Sequence, residues 1–317
     1  MILVVALNPA LDVTHDVPGI DWTGVNRPTT VRAQPGGKGL NVARILRAVG
    51  AQVQVIGFAG GAIGDKVQSA LGNLRVPAAF TRISRETRMT FAVVDTVRGD
   101  AALFNEPGPF VGPGEYTEFR GMYEKALAAS QAVVLSGSLP PGLPPGTYAE
   151  LGAMAESAGV PAVLDTHGEA LLLGAAARPA IVKPNLAELE ALLGRSLSTA
   201  RGADKDAVAV AARELRAAGP HAVVVTLGAD GLWAATDDGA WQAAPPTDVR
   251  GNPTGAGDAV AAGLAHGLVL GRPWEERLRH AVALGAASVA APIAGEFSQA
   301  DYAEMLEAVT VSRAEVC

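Results

Sequence analysis

The sequence predicts an α/β protein of three layers: a mostly parallel central sheet, helices on both faces, and a small β-sheet lid. Three observations carry this. Short uncharged runs rich in β-branched residues recur between segments whose apolar residues return every three or four positions. Such continuous apolar runs suit strands buried on both faces, the condition of a parallel sheet between helices. Hydrophobic residues make up 49% of the chain, charged residues 18% and aromatic residues 5%, which favours helices packed on a sheet over disorder. Finally, two segments break the pattern with polar, alternating strands, and these form the expected lid.

Ile2 to Leu7 reads as a buried first strand and Val53 to Phe58 as a second. Between them Leu40 to Val49 is a helix, with Val42, Ile45, Leu46 and Val49 at helical spacing and Gly50 as its stop. Asp12 to Ala33 is polar and β-branched, and suggests a partly exposed strand pair. Thr87 to Val97 alternates as a strand with one covered face, and Ala101 to Asn105 can return beside it across Arg98-Gly99-Asp100. Residues 9–35 and 86–106 are thus either lid segments inserted in the core or ordinary surface hairpins. From Tyr116 onward helix and strand alternate more clearly: Tyr116 to Ala129, Ala132 to Leu135, Tyr148 to Ala158, Ala162 to Leu164, Ile181-Val182 before a turn at Pro184, Ala207 to Ala218, then Ala222 to Leu227. Two late helices, Ala256 to Val269 and Arg277 to Ala291, should be deeply packed. No internal repeat or linker divides the chain, so residues 1–317 are expected to form one domain.

The net charge of −7, with no basic block, argues against nucleic acid or an anionic membrane as partner. Cys317 is the single cysteine, which excludes an intramolecular disulfide and a cysteine metal cluster. The apolar opening is short and lacks a basic lead, and the uncharged stretch from Ala281 to Gly295 falls below the roughly 20 residues of a membrane span. Cytoplasm is the expected compartment.

Two glycine-containing loops hold the candidate chemistry. Gly36-Gly37-Lys38-Gly39 precedes a helix; it is either a tight turn with a solvent-facing lysine or a loop whose amides and Lys38 approach an anionic ligand. It has neither the P-loop nor the Rossmann spacing. Asn252-Pro253-Thr254-Gly255-Ala256-Gly257-Asp258 opens an apolar helix, and amides at 255–257 near its N-terminus can stabilise a transferring phosphoryl group. Asp258 in the first turn is either a structural, capping acid or a base. The helix dipole favours its carboxylate and so weakens it as a base, which leaves positioning as its main asset.

At these residues the chain resembles the ribokinase-like, or phosphofructokinase B, carbohydrate kinases. The likeness spans almost the whole sequence. Gly36-Gly37-Lys38-Gly39-Leu40-Asn41-Val42-Ala43 resembles the early family signature and Gly255-Ala256-Gly257-Asp258 the late one. Ser136-Gly137-Ser138-Leu139-Pro140, Lys183-Pro184-Asn185-Leu186-Ala187-Glu188 and Thr226-Leu227-Gly228-Ala229-Asp230-Gly231 match landmarks between them, in order. The resemblance implies a ribokinase-like sandwich with ATP and Mg2+ as cofactors. It makes Asp258 the base, the amides of Gly255, Ala256 and Gly257 the anion hole, and Lys183, Asn185, Glu188, Thr226 and Gly228 the nucleotide side. Glu188 would act on magnesium through water; a helix cap and first-turn acid is the structural alternative for Asn185 and Glu188. Asp12, Gly36, Gly37 and Asn41 would contact acceptor hydroxyls, and the lid strands would support a homodimer.

Val25-Asn26-Arg27, the Lys38 loop and Glu86-Thr87-Arg88 look like the hexose-phosphate branch, the 1-phosphofructokinases and tagatose-6-phosphate kinases. There Arg27, Lys38, Arg88 and Ser138 are expected near the phosphate the acceptor already carries, since a dianion needs cationic donors. The implied reaction moves the γ-phosphate of ATP to fructose 1-phosphate. Tagatose 6-phosphate and fructose 6-phosphate are the alternative acceptors, and a noncatalytic sugar-phosphate sensor is the alternative of a different class. Asn252 stands where many members carry aspartate beside a monovalent-cation site, so dependence on potassium does not carry over.

Overall fold

The computed structural model describes residues 1–200, 202–247 and 249–314; Cys317 lies outside them. Strand β1 (Ile2–Ala6) is an interior strand, third from one edge of the main sheet, between β4 (Val53–Ala59) and β8 (Ala132–Ser136) and parallel to both. Its side chains alternate between two cores. Ile2, Val4 and Ala6 enter one, Leu3 and Val5 the other. Both sets are apolar because both faces are covered, so this strand shows no polar alternation.

β5 (Ala78–Arg82) flanks β4, and β9 (Ala162–Asp165), β10 (Ile181–Val182) and β13 (Ala222–Thr226) continue beyond β8, all parallel. The sheet then turns antiparallel through β14 (Leu232–Thr236), β15 (Gly239–Ala244) and β16 (Thr310–Arg313). That edge is absent from the sequence expectation. β14 and β15 are short and alanine-rich, so neither β-branching nor alternation marks them, and β16 is only four residues long.

On one face lie α1 (Lys38–Ala48), α2 (Gly61–Asn73), α8 (Ala256–Val269), α9 (Trp274–Ala290) and α10 (Gln299–Ala308). On the other lie α3 (Pro113–Leu127), α4 (Thr147–Ser157), α5 (Gly168–Ala176), α6 (Leu186–Leu193) and α7 (Lys205–Ala217). α9 begins at Trp274, earlier than its apolar periodicity suggests, because extended Pro273 launches a first turn of Trp274, Glu275 and Glu276, with acids placed well at a helix N-terminus. α8 and α9 pack closely through alanine and glycine; a Cβ on Gly263 would collide with the Ala281 backbone. Among the described residues no helix is long and apolar enough to cross a membrane.

A second sheet, ordered β3-β2-β6-β7, stands apart from the first. β2 (Ala10–Val17) pairs antiparallel with β3 (Thr30–Gly36) and parallel with β6 (Arg88–Asp95), which pairs antiparallel with β7 (Ala101–Asn105). Trp22 and Phe104 are 70% and 53% exposed on it, beside an open cleft of about 520 Å³ that also involves His15, Phe91 and Val93. A two-stranded ribbon, β11 (Ser198–Thr199) with β12 (Gly202–Ala203), completes the fold.

Candidate active site

The main sheet delivers the C-terminal ends of β8, β9, β10 and β13 to the region where α1, α6 and α8 begin, the place where open parallel sheets hold ligands. Gly255 caps α8 with φ of 85°, a left-handed conformation that a side chain resists, and a Cβ there would press on Ala294. The Ala256 amide donates to the Pro253 carbonyl at 3.1 Å, so the expected three-amide hole is reduced by one here. Among the described residues no protein acceptor takes the Gly255 or Gly257 amide. Asp258 follows in the first turn, only 6% exposed.

Asn41, on α1, donates from Nδ2 to Asp258 Oδ2 at 2.9 Å. Burial pushes the Asp258 carboxyl up to about 7, and the Asp165 carboxylate pushes the same way; Lys38, the Asn41 hydrogen bond and Lys183 oppose without prevailing. The sequence expectation of a carboxylate weakened as a base by the helix dipole is thus reversed. Desolvation of a fully enclosed acid exceeds a terminal dipole effect of about 0.3–1 kcal/mol.

Asp165 is the hub of the charges. It ends β9 with 0% exposure and accepts Lys38 Nζ at 3.0 Å and Lys183 Nζ at 3.2 Å on the same oxygen. Burial would raise its pKa, but Lys183 and Lys38 outweigh that and hold it below the ordinary carboxylate range. Lys38 also reaches Glu188 Oε1 at 3.3 Å. Burial opposes its charge, yet Asp165, Glu188 and Asp258 more than compensate and raise its pKa. Lys183, 2% exposed, lies near Gly257: a Cβ built on that glycine would sit 3.5 Å from its Nζ. The two ammonium groups are therefore held beside the start of α8. Lys38 also borders a small pocket beside α1, but its charge is directed toward the carboxylates Asp165 and Glu188.

At the opposite end Asp12, on β2, packs against Gly36 on β3 so closely that a Cβ at 36 would overlap its carboxylate. Burial raises the Asp12 pKa, against a hydrogen bond from Thr90 and the charges of Arg88 and Arg44. A neighbouring pocket of about 120 Å³ is bordered by Asn8, Gly37, Lys38, Arg88, Ser138 and His167, among others. Arg88 donates to the Asn8 carbonyl from Nε at 3.2 Å and Nη2 at 3.1 Å, and to the Glu106 carbonyl from Nη1 at 3.1 Å. Asn8 Nδ2 in turn donates to Ser138 Oγ and the Pro107 carbonyl, each at 3.0 Å. Arg27 does not join this group. It is exposed in the connection between β2 and β3, which Asp21 and Asn26 close on themselves through two hydrogen bonds of 2.8 and 2.7 Å.

On the remaining side Asn185 caps α6. Its Oδ1 accepts from the Glu188 amide at 2.8 Å, and Glu188 Oε2 accepts from the Asn185 amide at 2.9 Å. The capping box is real, and it leaves Glu188 Oε1 facing Lys38. Thr226 ends β13, its amide bonded to the Pro184 carbonyl at 3.0 Å, and Gly228 opens the following turn with free space beside it.

Sequence reasoning missed Asp165, Asn8, Thr90, Arg44 and His167. A signal existed for Asp165: an acid ending an otherwise apolar strand at the ligand-binding edge of a parallel sheet. Buried Arg44 ties α1 to the segment after α9, through the Ala294 carbonyl at 3.0 Å and Glu296. Nothing local marks it.

The pfkB family carbohydrate kinase model matches residues 1–300. A 1-phosphofructokinase of Rhodobacter capsulatus is 39% identical over 288 residues, covering 90% of each chain. Among solved structures, phosphofructokinase-2 from Escherichia coli in complex with potassium is 30% identical, with a TM-score of 0.89 over 96% of this chain and 98% of that one. Ribokinase from Arabidopsis thaliana, 21% identical, shares the fold with a TM-score of 0.74 over 96% and 98% of the two chains.

Proposed function

This chain belongs to the pfkB family of carbohydrate kinases and has the ribokinase-like fold, and from that premise we propose that it is a 1-phosphofructokinase, transferring the γ-phosphate of ATP to fructose 1-phosphate. The observation that carries phosphoryl transfer is Asp258, a buried carboxyl poised near pH 7 in the same helical turn as two open amides and beside two lysines held by one aspartate. Likeness to the Rhodobacter capsulatus enzyme supports the choice of acceptor.

In this reading Asp258 takes the proton from the acceptor hydroxyl as it attacks, with Asn41 holding the carboxyl in one orientation. The amides of Gly255 and Gly257 and the ammonium groups of Lys38 and Lys183 meet the charge on the transferring group. Asp165 keeps those two lysines together while they await anionic phosphates. Asp12 and Asn41 receive acceptor hydroxyls, and Arg88 and Ser138 receive the phosphate already present. The lid, residues 9–35 and 86–106, covers the acceptor and excludes water. Its exposed apolar face suits a second copy of the chain, giving a homodimer that works in the cytoplasm.

ATP lies on the Lys183, Asn185, Thr226 and Gly228 side. Among the described residues no group of three or more histidine, cysteine, aspartate or glutamate side chains is arranged around a metal. A magnesium ion would arrive on the nucleotide phosphates and keep most of its waters, and Glu188 would hold it through water. Bound there, magnesium would neutralise phosphate charge.

The likeness to phosphofructokinase-2 from Escherichia coli, which has also been solved in complex with fructose-6-phosphate, favours fructose 6-phosphate as the second reading. The potassium of that enzyme's other complex is not transferred: Asn252 is neutral, and its Oδ1 accepts from the Thr254 amide at 3.0 Å.

ADP release measured in parallel with fructose 1-phosphate, fructose 6-phosphate, tagatose 6-phosphate and free fructose tests the proposal. The highest kcat/KM should be with fructose 1-phosphate. A preference for free fructose would overturn the phosphorylated-acceptor reading, and no turnover with any of them would favour a sensor.

A further inference from the structure

We propose that His167 is a specificity-determining residue of the acceptor pocket, donating a hydrogen bond to the phosphate that the incoming sugar carries; this rests on the reading of the pocket as a sugar-phosphate site. His167 ends the connection after β9 and caps α5. Its backbone is extended and its side chain makes no capping bond. It is exposed, and it borders the same pocket as Arg88 and Ser138.

The placement is rigid although Ser138 and His167 belong to different loops. Ser136 on β8 is in register with Asp165 on β9. Just beyond, the Gly137 amide donates to the Asp165 carbonyl at 3.0 Å, and Thr166 Oγ1 donates to the Gly137 carbonyl at 2.9 Å. Buried Tyr148 adds a second bond to that carbonyl, 3.1 Å from its hydroxyl. Two connections distant in sequence are thereby joined into one shelf, with Ser138 and His167 on it.

The charged donors around the pocket are already partly engaged. Lys38 is committed to Asp165 and Glu188. Arg88 commits one N–H of each nitrogen to the carbonyls of Asn8 and Glu106, which fixes its fork and leaves one N–H on each of Nη1 and Nη2 to offer. Arg27 lies outside the pocket. Among the described side chains bordering it, no protein acceptor engages the Ser138 hydroxyl, which receives a bond from Asn8 and keeps its own proton to give, the His167 ring, or the Ser136 hydroxyl, and of these three Ser136 is buried. A phosphate dianion accepts several hydrogen bonds at once, and each one to a charged group is worth about 1.5–3 kcal/mol.

The test compares His167→Ala and His167→Gln with the wild-type full chain. In the alanine variant the KM for fructose 1-phosphate should rise by about tenfold or more, while kcat and the KM for ATP hold. Glutamine, which keeps an N–H donor, should recover part of the loss. An unchanged acceptor KM, or a rise confined to the ATP KM, overturns the assignment. Calorimetric titration with inorganic phosphate separates this from the choice of sugar. Weaker phosphate binding in the alanine variant supports His167 even if fructose 1-phosphate proves a poor acceptor, and equal binding in both proteins refutes it even if turnover is as proposed.

Discussion

Replacing Asp258 by asparagine should make the protein more stable while removing its activity, and the gain should depend on pH. The folded carboxyl holds its proton up to about pH 7, whereas in the unfolded chain it ionises near its ordinary 3.8. Between those values the folded state binds the additional proton, so this group's contribution to stability falls as pH rises through the window. At pH 8 the cost of the buried charge is at most about 4 kcal/mol, and at pH 5 about 1.5 kcal/mol. Asparagine is neutral, nearly isosteric, and keeps an oxygen to accept from Asn41, so it escapes that cost at both values. The substitution should therefore raise Tm by about 5 °C more at pH 8 than at pH 5. Thermal melts of both proteins at the two pH values, with kcat measured on the same preparations, make the assay. Turnover should fall by about 10²–10⁴. A Tm gain that is equal at both pH values, or a loss at pH 8, would refute a carboxyl raised by burial. Near-normal kcat would refute the base.

The same carboxyl predicts that log kcat/KM rises with pH and levels off above about 7 in the wild type; a flat profile from pH 5.5 to 8.5 would remove Asp258 ionisation from the rate. Asp165→Asn takes the countercharge from Lys38 and Lys183 in a buried place and should cost about 3–5 kcal/mol in denaturant unfolding, an effect that Asp206→Asn on the surface should not reproduce. Gly36→Ala would drive a methyl group into the Asp12 carboxylate; the KM for acceptor should rise with the KM for ATP unchanged, and an unaltered acceptor KM would separate Asp12 from the sugar. Arg88→Ala should weaken use of the phosphorylated acceptor more than ATP binding, as read from the two KM values, and equal losses would count against its placement.

Much of the core was legible because its physics is local. Ile2 to Leu7 reads as a strand buried on both faces, and α8 was found from Ala256 to Val269 because a continuous apolar run follows a glycine-rich start. The antiparallel edge escaped notice because Leu232–Thr236 and Gly239–Ala244 are held by pairing and burial that small residues do not advertise. At the site, Asp258 and Lys38 were visible in their glycine loops. Asp165, 127 residues from Lys38 in the chain, was not. A single acid at a strand end has no periodic or spacing signal until the sheet brings it to the lysines.

By itself, the sequence determined the layered α/β architecture and the two glycine loops, because hydrophobic period and backbone freedom act over a few neighbouring residues, and the ordered motifs marked the family. Tertiary structure decided the electrical state of the site. It enclosed Asp258 enough to overcome its helix dipole, turned Lys38 toward Asp165 and Glu188, left Arg27 outside and brought His167 beside Ser138. Burial and charge pairing depend on groups far apart in the chain, and only the folded sheet sets those distances.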